Sequence, residues 1–424
     1  MKLTAIARFV VVVLVACTSV GAQGLPTAPA EEVGMSSQRL AQIDDFVERH
    51  IEAHHFAGAV TLVARRGKVV QFRAYGMQDI AAGVPMAKDS IFRIYSMTKP
   101  VTSVAVMMLF EEGRFLLGDP VSKYLPEFEG IEVGVEEIDE TTGDPVLRTA
   151  PPERAVTIRD LLRHTSGLTY GFWGTSMVDQ LYLEKGVFGS DDSSEETVAK
   201  LTTIPLKHQP GTVWEYSVST DVLGRLVEVV SGQRFDEFLR TRIFSPLGMD
   251  DTGFFVPPDK TNRLTTVYTP NDDNTAIAPI DPTKAHDFTH ETRRLSGGGG
   301  LVSTAADYVR FSQMLLNGGE LGGTRILGRP TVELMTSDHL EEVVDRGFLE
   351  SYGFGLGFRI NPGRGISGTI PSSGTFGWGG MAHTTFWVDP KEALIGIFLI
   401  QILPRAPEPY RELFKPVVYQ AITD

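Results

Sequence analysis

Residues 94–110 read Ile94-Tyr95-Ser96-Met97-Thr98-Lys99-Pro100-Val101-Thr102-Ser103-Val104-Ala105-Val106-Met107-Met108-Leu109-Phe110. Ser96 and Lys99 stand at i and i+3. On a helix that spacing puts two side chains on one face, with Cβ atoms about 5–6 Å apart. A serine hydroxyl is a weak nucleophile until a neighbouring base takes its proton. A lysine amine serves where burial disfavours the ammonium form. Val101 to Phe110 is apolar almost all round, the pattern of a helix enclosed in a core. A Ser/Lys pair at the start of such a helix is held rigidly and is partly dry. Ser-x-x-Lys alone recurs by chance in chains of ordinary composition, so its weight depends on its surroundings.

The chain has 424 residues, of which 42% are hydrophobic, which provides for a sizeable core. That length suits two or three domains, or one large domain with insertions. A net charge of −14 argues against a nucleic-acid surface and favours cationic or neutral partners. Cys17 is the single cysteine. An intramolecular disulfide, a cysteine zinc site and a thiol nucleophile in the mature fold are thereby excluded. The chain contains neither His-Glu-x-x-His nor Gly-x-Ser-x-Gly. Those absences count against a zincin metal site and an α/β-hydrolase. No metal and no organic cofactor is expected.

Residues 1–22 have the form of an export signal. Lys2 and Arg8 precede a short apolar run, Phe9 to Ala16, too short to span a bilayer. Val20-Gly21-Ala22 suits ordinary signal peptidase, whereas Leu14-Val15-Ala16-Cys17 resembles the lipoprotein box, in which Cys17 would carry a lipid anchor. Either reading puts the mature protein outside the cytoplasm, periplasmic or extracellular. The second makes it an outer-membrane lipoprotein. Residues 23–35, rich in Pro and Ala, read as an exposed linker.

The remainder, 36–424, reads as the catalytic domain. Ser36 or Ser37 caps a helix to about Ala53, with Leu40, Ile43, Val47 and Ile51 on one face. Ala57 to Ala64 and Lys68 to Tyr75 form a hairpin around Arg65-Arg66-Gly67. Glu127 to Asp144, with eight acidic residues, reads as a solvated surface hairpin. Thr157 caps a short helix ending near His164, and Thr169 to Asp192 reads as an irregular aromatic loop. Ser194 to Leu201, Val222 to Ser231, Phe235 to Ile243 and Thr304 to Leu316 read as helices. The run Gly297-Gly298-Gly299-Gly300 lacks a following Lys-Ser/Thr, so close backbone packing accounts for it better than a phosphate cradle. Tyr352 to Ile360, Ala382 to Val388 and Ala393 to Ile402 read as strands, and Glu408 to Ile422 as a terminal helix. Strands at both ends and helices between them give an α+β fold. Its central antiparallel sheet comes from the N- and C-terminal strands, flanked by helices. A mainly helical region of about 120–300 is inserted between the sheet halves.

Ser96-Met97-Thr98-Lys99, His164-Thr165-Ser166-Gly167-Leu168, Tyr216-Ser217-Val218 and Trp378-Gly379-Gly380 occur in the order expected of one family. From about Val33 onward the chain resembles the serine β-lactamase and penicillin-binding-protein superfamily. Within it the chain looks most like class C β-lactamases and family VIII carboxylesterases. The resemblance implies the β-lactamase/transpeptidase-like fold. It also implies that Ser96 carries an acyl group while Lys99 and Tyr216 act as general base and acid. The backbone N–H groups of Ser96 and Met381 would form the oxyanion hole. Val218, Trp378, Gly379 and Gly380 would contact substrate. His164 and His383 are rival bases, but the family uses the His164 segment structurally.

Two positions depart from the β-lactamase pattern. Val218 stands where asparagine would hydrogen-bond the substrate's side-chain carbonyl. Trp378-Gly379-Gly380 stands where Lys-Thr-Gly would pair with a β-lactam carboxylate. Losing such a charge-assisted bond costs about 1.5–3 kcal/mol. Both changes lean toward small neutral acyl esters, hence an exported esterase. A β-lactamase or D-alanyl peptidase, an acyltransferase, and a non-catalytic penicillin-binding-type envelope protein remain alternatives. The oligomeric state is not legible.

Overall fold

The computed structural model describes residues 25–188, 192–281, 286–343 and 345–424. The export signal, with Cys17, lies outside the described residues. An eight-stranded sheet forms the centre. In chain order its strands are β1 (Gly58–Arg65), β2 (Lys68–Asp79), β3 (Val84–Pro85), β4 (Gly353–Phe354), β5 (Arg359–Ile360), β6 (Phe376–Gly379), β7 (Thr385–Asp389) and β8 (Leu394–Leu399). The spatial order is β4-β5-β6-β7-β8-β1-β2-β3, with every pairing antiparallel. The last strand therefore pairs with the first, and the two ends of the chain close one sheet. This is the expected α+β architecture.

Both faces of the sheet are covered, so β1 and β8 are buried throughout. Their side chains divide by the two-residue period of a strand. Val60, Leu62, Ile395, Ile397 and Leu399 join the core shared with the central helices. Ala59, Val63, Leu394 and Phe398 face the terminal helices, α1 (Gln42–Glu52) and α5 (Tyr410–Tyr419). The central helices include α2 (Thr98–Glu111), α3 (Ser219–Ser231) and α4 (Ala305–Leu316). Helix α2 is buried from Thr98 to Leu109, as its all-round apolar pattern requires. Pro100 sits in its first turn, where the N–H it lacks has no helical partner to lose.

Several local expectations need correction. Residues 25–35 are not an exposed linker. Ala28 N–H bonds to the Val69 carbonyl at 3.1 Å, Ala30–Val33 forms a helical turn, and Val33 and Met35 are buried. The buried Arg65 guanidinium fixes this segment by donating to the Val33 and Gly34 carbonyls at 2.9 and 2.8 Å and pairing with Asp424 at 2.7 Å. The Pro/Ala composition concealed this because the anchor lies elsewhere in the chain. The first helix breaks at Ala41, between Ser37–Leu40 and Gln42–Glu52. The stretch 169–192 contains a helix, Met177–Glu184, started by a reciprocal Ser176/Asp179 cap. Tyr352 to Ile360 is two short strands joined by a turn. The Thr157 cap, the acidic hairpin Val133–Ile138 with Pro145–Ala150, and the Thr304 cap are as expected.

Candidate active site

Ser96 lies in a 3-10 turn, Tyr95–Met97, that leads directly into α2. Side chains at i and i+3 eclipse in such a turn, so Ser96 and Lys99 keep a common face. The preceding Tyr95 has φ +41°. A bulky residue there costs about 1–3 kcal/mol and persists only when its surroundings enforce it. Here they do. Ile94 N–H bonds to the Leu301 carbonyl at 3.1 Å. Leu301 N–H bonds to Thr98 Oγ1 at 3.1 Å, and Tyr308 Oη of α4 donates to the Met97 carbonyl at 2.8 Å. On another side, a Cβ at Gly380 would lie 2.2 Å from the Ile94 carbonyl oxygen. Only glycine permits that approach, and it brings the end of β6 against the serine turn.

Lys99 is 1% exposed. Its Nζ donates to Tyr170 Oη at 2.8 Å and to the Gly298 carbonyl at 2.6 Å, and it reaches Ser96 Oγ at 3.4 Å. It also lies 4.6 Å from the centroid of the Tyr216 ring, a cation–π distance. The Ser96 contact is long, as is common before substrate arrives. Tyr216 is buried, and Trp378 Nε1 donates to its Oη at 3.1 Å. Burial, with Tyr216 and Asp221 nearby, holds the Tyr170 phenol well above its ordinary pKa. Tyr170 is thereby a neutral acceptor for Lys99.

The Trp378–Gly379 end of β6 has passed the end of β5, which pairs only with Phe376 and Gly377. It is therefore a free strand edge beside the serine turn. Met381 follows it, half exposed at 44%. The backbone N–H groups of Ser96 and Met381 make no hydrogen bond to backbone among the described residues. Gly379 faces the Arg411 guanidinium of α5, which donates to the Gly380 carbonyl.

Val218 does not line the site. It is 1% exposed, packed in the central core ahead of α3, because an apolar side chain gains more there than an amide would. His164 is buried behind Tyr216, ring centroids 5.0 Å apart, and its Nδ1 accepts the Ser217 N–H at 3.3 Å. Burial and Lys99 push its pKa well below the ordinary value, so it is a neutral brace. His383 Nε2 accepts the Ala406 N–H at 3.0 Å. Burial, assisted by Arg411, lowers its pKa to about 4.

Sequence reasoning missed Tyr170, Gly298 and Asp221. Tyr170 closes the segment His164-Thr165-Ser166-Gly167-Leu168-Thr169-Tyr170, so its place just after a quoted motif was the available signal. Asp221 accepts from Ser296 Oγ at 2.5 Å and from Gly298 N–H at 3.4 Å, which aims the Gly298 carbonyl at Lys99. The glycine run is thus close backbone packing around the lysine. An aromatic rim was only hinted at. Trp173, 59% exposed, stacks on Tyr216 with centroids 5.4 Å apart. Phe348, 63% exposed, meets Tyr216 edge-on at 5.8 Å.

The family model described as Beta-lactamase matches residues 43–415. The chain is 39% identical over 368 residues to Protein Rv1367c of Mycobacterium tuberculosis, covering 83% of this chain and 88% of that protein. It is 30% identical over 369 residues to Esterase EstB of Burkholderia gladioli, covering 82% and 87%. Among solved structures, EstCE1, described as a hydrolase with promiscuous acyltransferase activity, superposes with a TM-score of 0.74 at 26% identity, covering 90% of this chain and 99% of EstCE1. The chain belongs to the Beta-lactamase family, within the serine β-lactamase and penicillin-binding-protein superfamily, and is a serine hydrolase by that membership.

Proposed function

We propose that this Beta-lactamase family member hydrolyses neutral carboxylic esters through an acyl-enzyme on Ser96, as in the class C-like esterase branch. The observation that carries the reading is Trp378. It supplies an indole donor to Tyr216 and an aromatic wall at the position where a β-lactamase would hold a lysine for the substrate carboxylate. The half-exposed rim of Trp173 and Phe348 supports an apolar substrate, since exposed aromatic surface beside a polar centre is the usual lining of a small-molecule site. The relationship to Esterase EstB supports it as well.

In this mechanism Ser96 Oγ attacks the ester carbonyl carbon while its proton passes to the Lys99/Tyr216 pair. The oxyanion is held by the N–H groups of Ser96 and Met381. The tetrahedral intermediate collapses, the C–O bond breaks, and the leaving alkoxide takes its proton back from Tyr216. Water then enters, gives a proton to the same pair, and attacks the acyl carbon. The acid leaves and Ser96 recovers its proton. Tyr170 and the Gly298 carbonyl keep the Lys99 nitrogen in place throughout.

Export belongs to the same proposal: residues 1–22 direct the protein out of the cytoplasm. Intact-mass analysis of the mature N-terminus separates cleavage after Ala22 from lipidation of Cys17. A second reading, acyl transfer to an alcohol, draws support from EstCE1 and from the aromatic rim beside Tyr216. The experiment compares turnover of p-nitrophenyl butyrate with that of nitrocefin, with and without an added alcohol. A much higher kcat/KM is expected on the ester, lost in Ser96→Ala. Faster nitrocefin turnover overturns it, and a butyrate ester of the added alcohol as main product favours transfer.

A further inference from the structure

Behind Trp378, on the α5 side of the sheet, lies a small cavity of about 30 Å³. A single water needs about 10–15 Å³ on this scale, so the space fits a group of a few heavy atoms. Arg359 of β5, Lys415 of α5 and Thr375 line it, together with Gly377 and Trp378, and neither Ser96, Lys99 nor Tyr216 does. Lys415 is 9% exposed. Among the described residues it has no hydrogen bond and no ion pair. Its one polar contact is a distant approach, 5.9 Å, to the Trp387 ring. Arg359 likewise has no carboxylate partner and rests 4.5 Å over the Tyr352 ring. Thr375 Oγ1 and, one helical turn before Lys415, Arg411 Nε are buried without partners.

Buried charges are ordinarily paired, because an uncompensated one loses its hydration with nothing in return. Here the buried Lys415 and the half-buried Arg359, from different elements, line one small space together with the buried Thr375. Arginine and lysine offer only donors, and arginine's fork matches the geometry of carboxylate and phosphate oxygens. Burial, reinforced by Arg359 and Arg411, pushes the Lys415 ammonium down to about 7, with Glu412 opposing. An arriving anion would offset the burial penalty and the repulsion from Arg359 and Arg411 together.

We propose that the cavity bounded by Arg359, Lys415 and Thr375 is a binding site for one compact oxyanion, separate from the catalytic serine. The chemistry is shared by inorganic phosphate and by the carboxylate of a small organic acid. Because the site clamps β5, β6 and α5 together, occupancy stabilises the strand that carries Trp378.

The test is thermal melting of the full chain in a chloride buffer at pH 7 and constant ionic strength. One arm titrates inorganic phosphate and the other sodium butyrate, each to about 50 mM. A ligand that binds only the folded state raises stability with the logarithm of its concentration. The wild type should gain several degrees, and the anion giving the larger saturable gain identifies the source. Lys415→Met and Arg359→Gln should each melt cooperatively and lose most of the gain. Lys415→Met should also melt at or above the wild type without phosphate or butyrate, since it removes an unpaired buried charge. If one variant fails to fold, the other decides. No saturable gain with either anion, or an equal gain in wild type and variants, overturns the proposal.

Discussion

Two lysines are buried on opposite faces of the same sheet, and their surroundings differ in kind. Lys99, on the helix-core face, is held by Tyr170, Gly298 and Ser96 at 2.8, 2.6 and 3.4 Å. Lys415, on the terminal-helix face, has no hydrogen-bond acceptor or ion-pair partner for its ammonium among the described residues; it approaches the Trp387 ring, with Arg359, Arg411 and Glu412 acting on it from a distance. The first environment is complete without a ligand, and a fixed nitrogen beside a hydroxyl is what proton transfer needs. The second is completed only by something from outside. Burial alone therefore does not mark a catalytic lysine. The acceptors around it do.

The largest expected effect tests the filled environment. Lys99→Met and Ser96→Ala should each lower kcat/KM on p-nitrophenyl butyrate by about 10⁴-fold or more, the scale on which a nucleophile and its base act as one unit. If Lys415→Met costs as much, the contrast between the two lysines collapses. Next come the two tyrosines that share Lys99. Tyr216→Phe should cost about 10²–10⁴-fold in kcat, as expected for a proton carrier. Tyr170→Phe, which removes an acceptor that merely holds Lys99, should cost about tenfold, the worth of one hydrogen bond of about 1.4 kcal/mol. The reverse order would exchange their roles.

Asp221→Asn sharpens the same point at a further remove. It weakens the hold on Ser296 and Gly298, so Lys99 loses aim and not contact. A fall of about three- to tenfold in kcat with little change in KM is expected from a hydrogen bond worth about 1 kcal/mol. A KM effect with kcat intact would instead make Asp221 a substrate contact. The smallest effect concerns Lys415. Its pKa is depressed in the fold to about 7 from an ordinary 10.5, so between these values the unfolded chain binds more protons and stability rises with pH. The melting temperature of wild type relative to Lys415→Met should therefore climb by a few degrees from pH 7 to 10, without phosphate or butyrate. A flat difference would mean that Lys415 stays charged and paired.

What the sequence made legible follows the range of each interaction. The Ser96/Lys99 pair, the buried helix, the hairpin and the terminal strands are written in contiguous or i, i+3 patterns, and all are found. The arrival of Tyr216 at Lys99 was inferred through family resemblance, because nothing in 117 residues of spacing encodes a cation–π contact. Tyr170, Gly298 and Asp221 escaped because their value lies in backbone carbonyls and in meetings across the fold. Val218, read from its motif position as a substrate contact, packs in the same core cluster as Tyr216, a packing partner that a motif position does not reveal. Residues 25–35 were misread because Arg65, which anchors them, reaches over from β1.

In the proposed reaction the acyl group of the substrate passes through Ser96. Mass spectrometry of the protein, acid-quenched within a turnover of p-nitrophenyl butyrate and digested, tests it most directly. One butyryl group is expected on the peptide containing Ser96, present during turnover, gone when substrate is exhausted, and persisting longer in Tyr216→Phe. Full turnover with that peptide never acylated, or with the butyryl group on another residue, would contradict it.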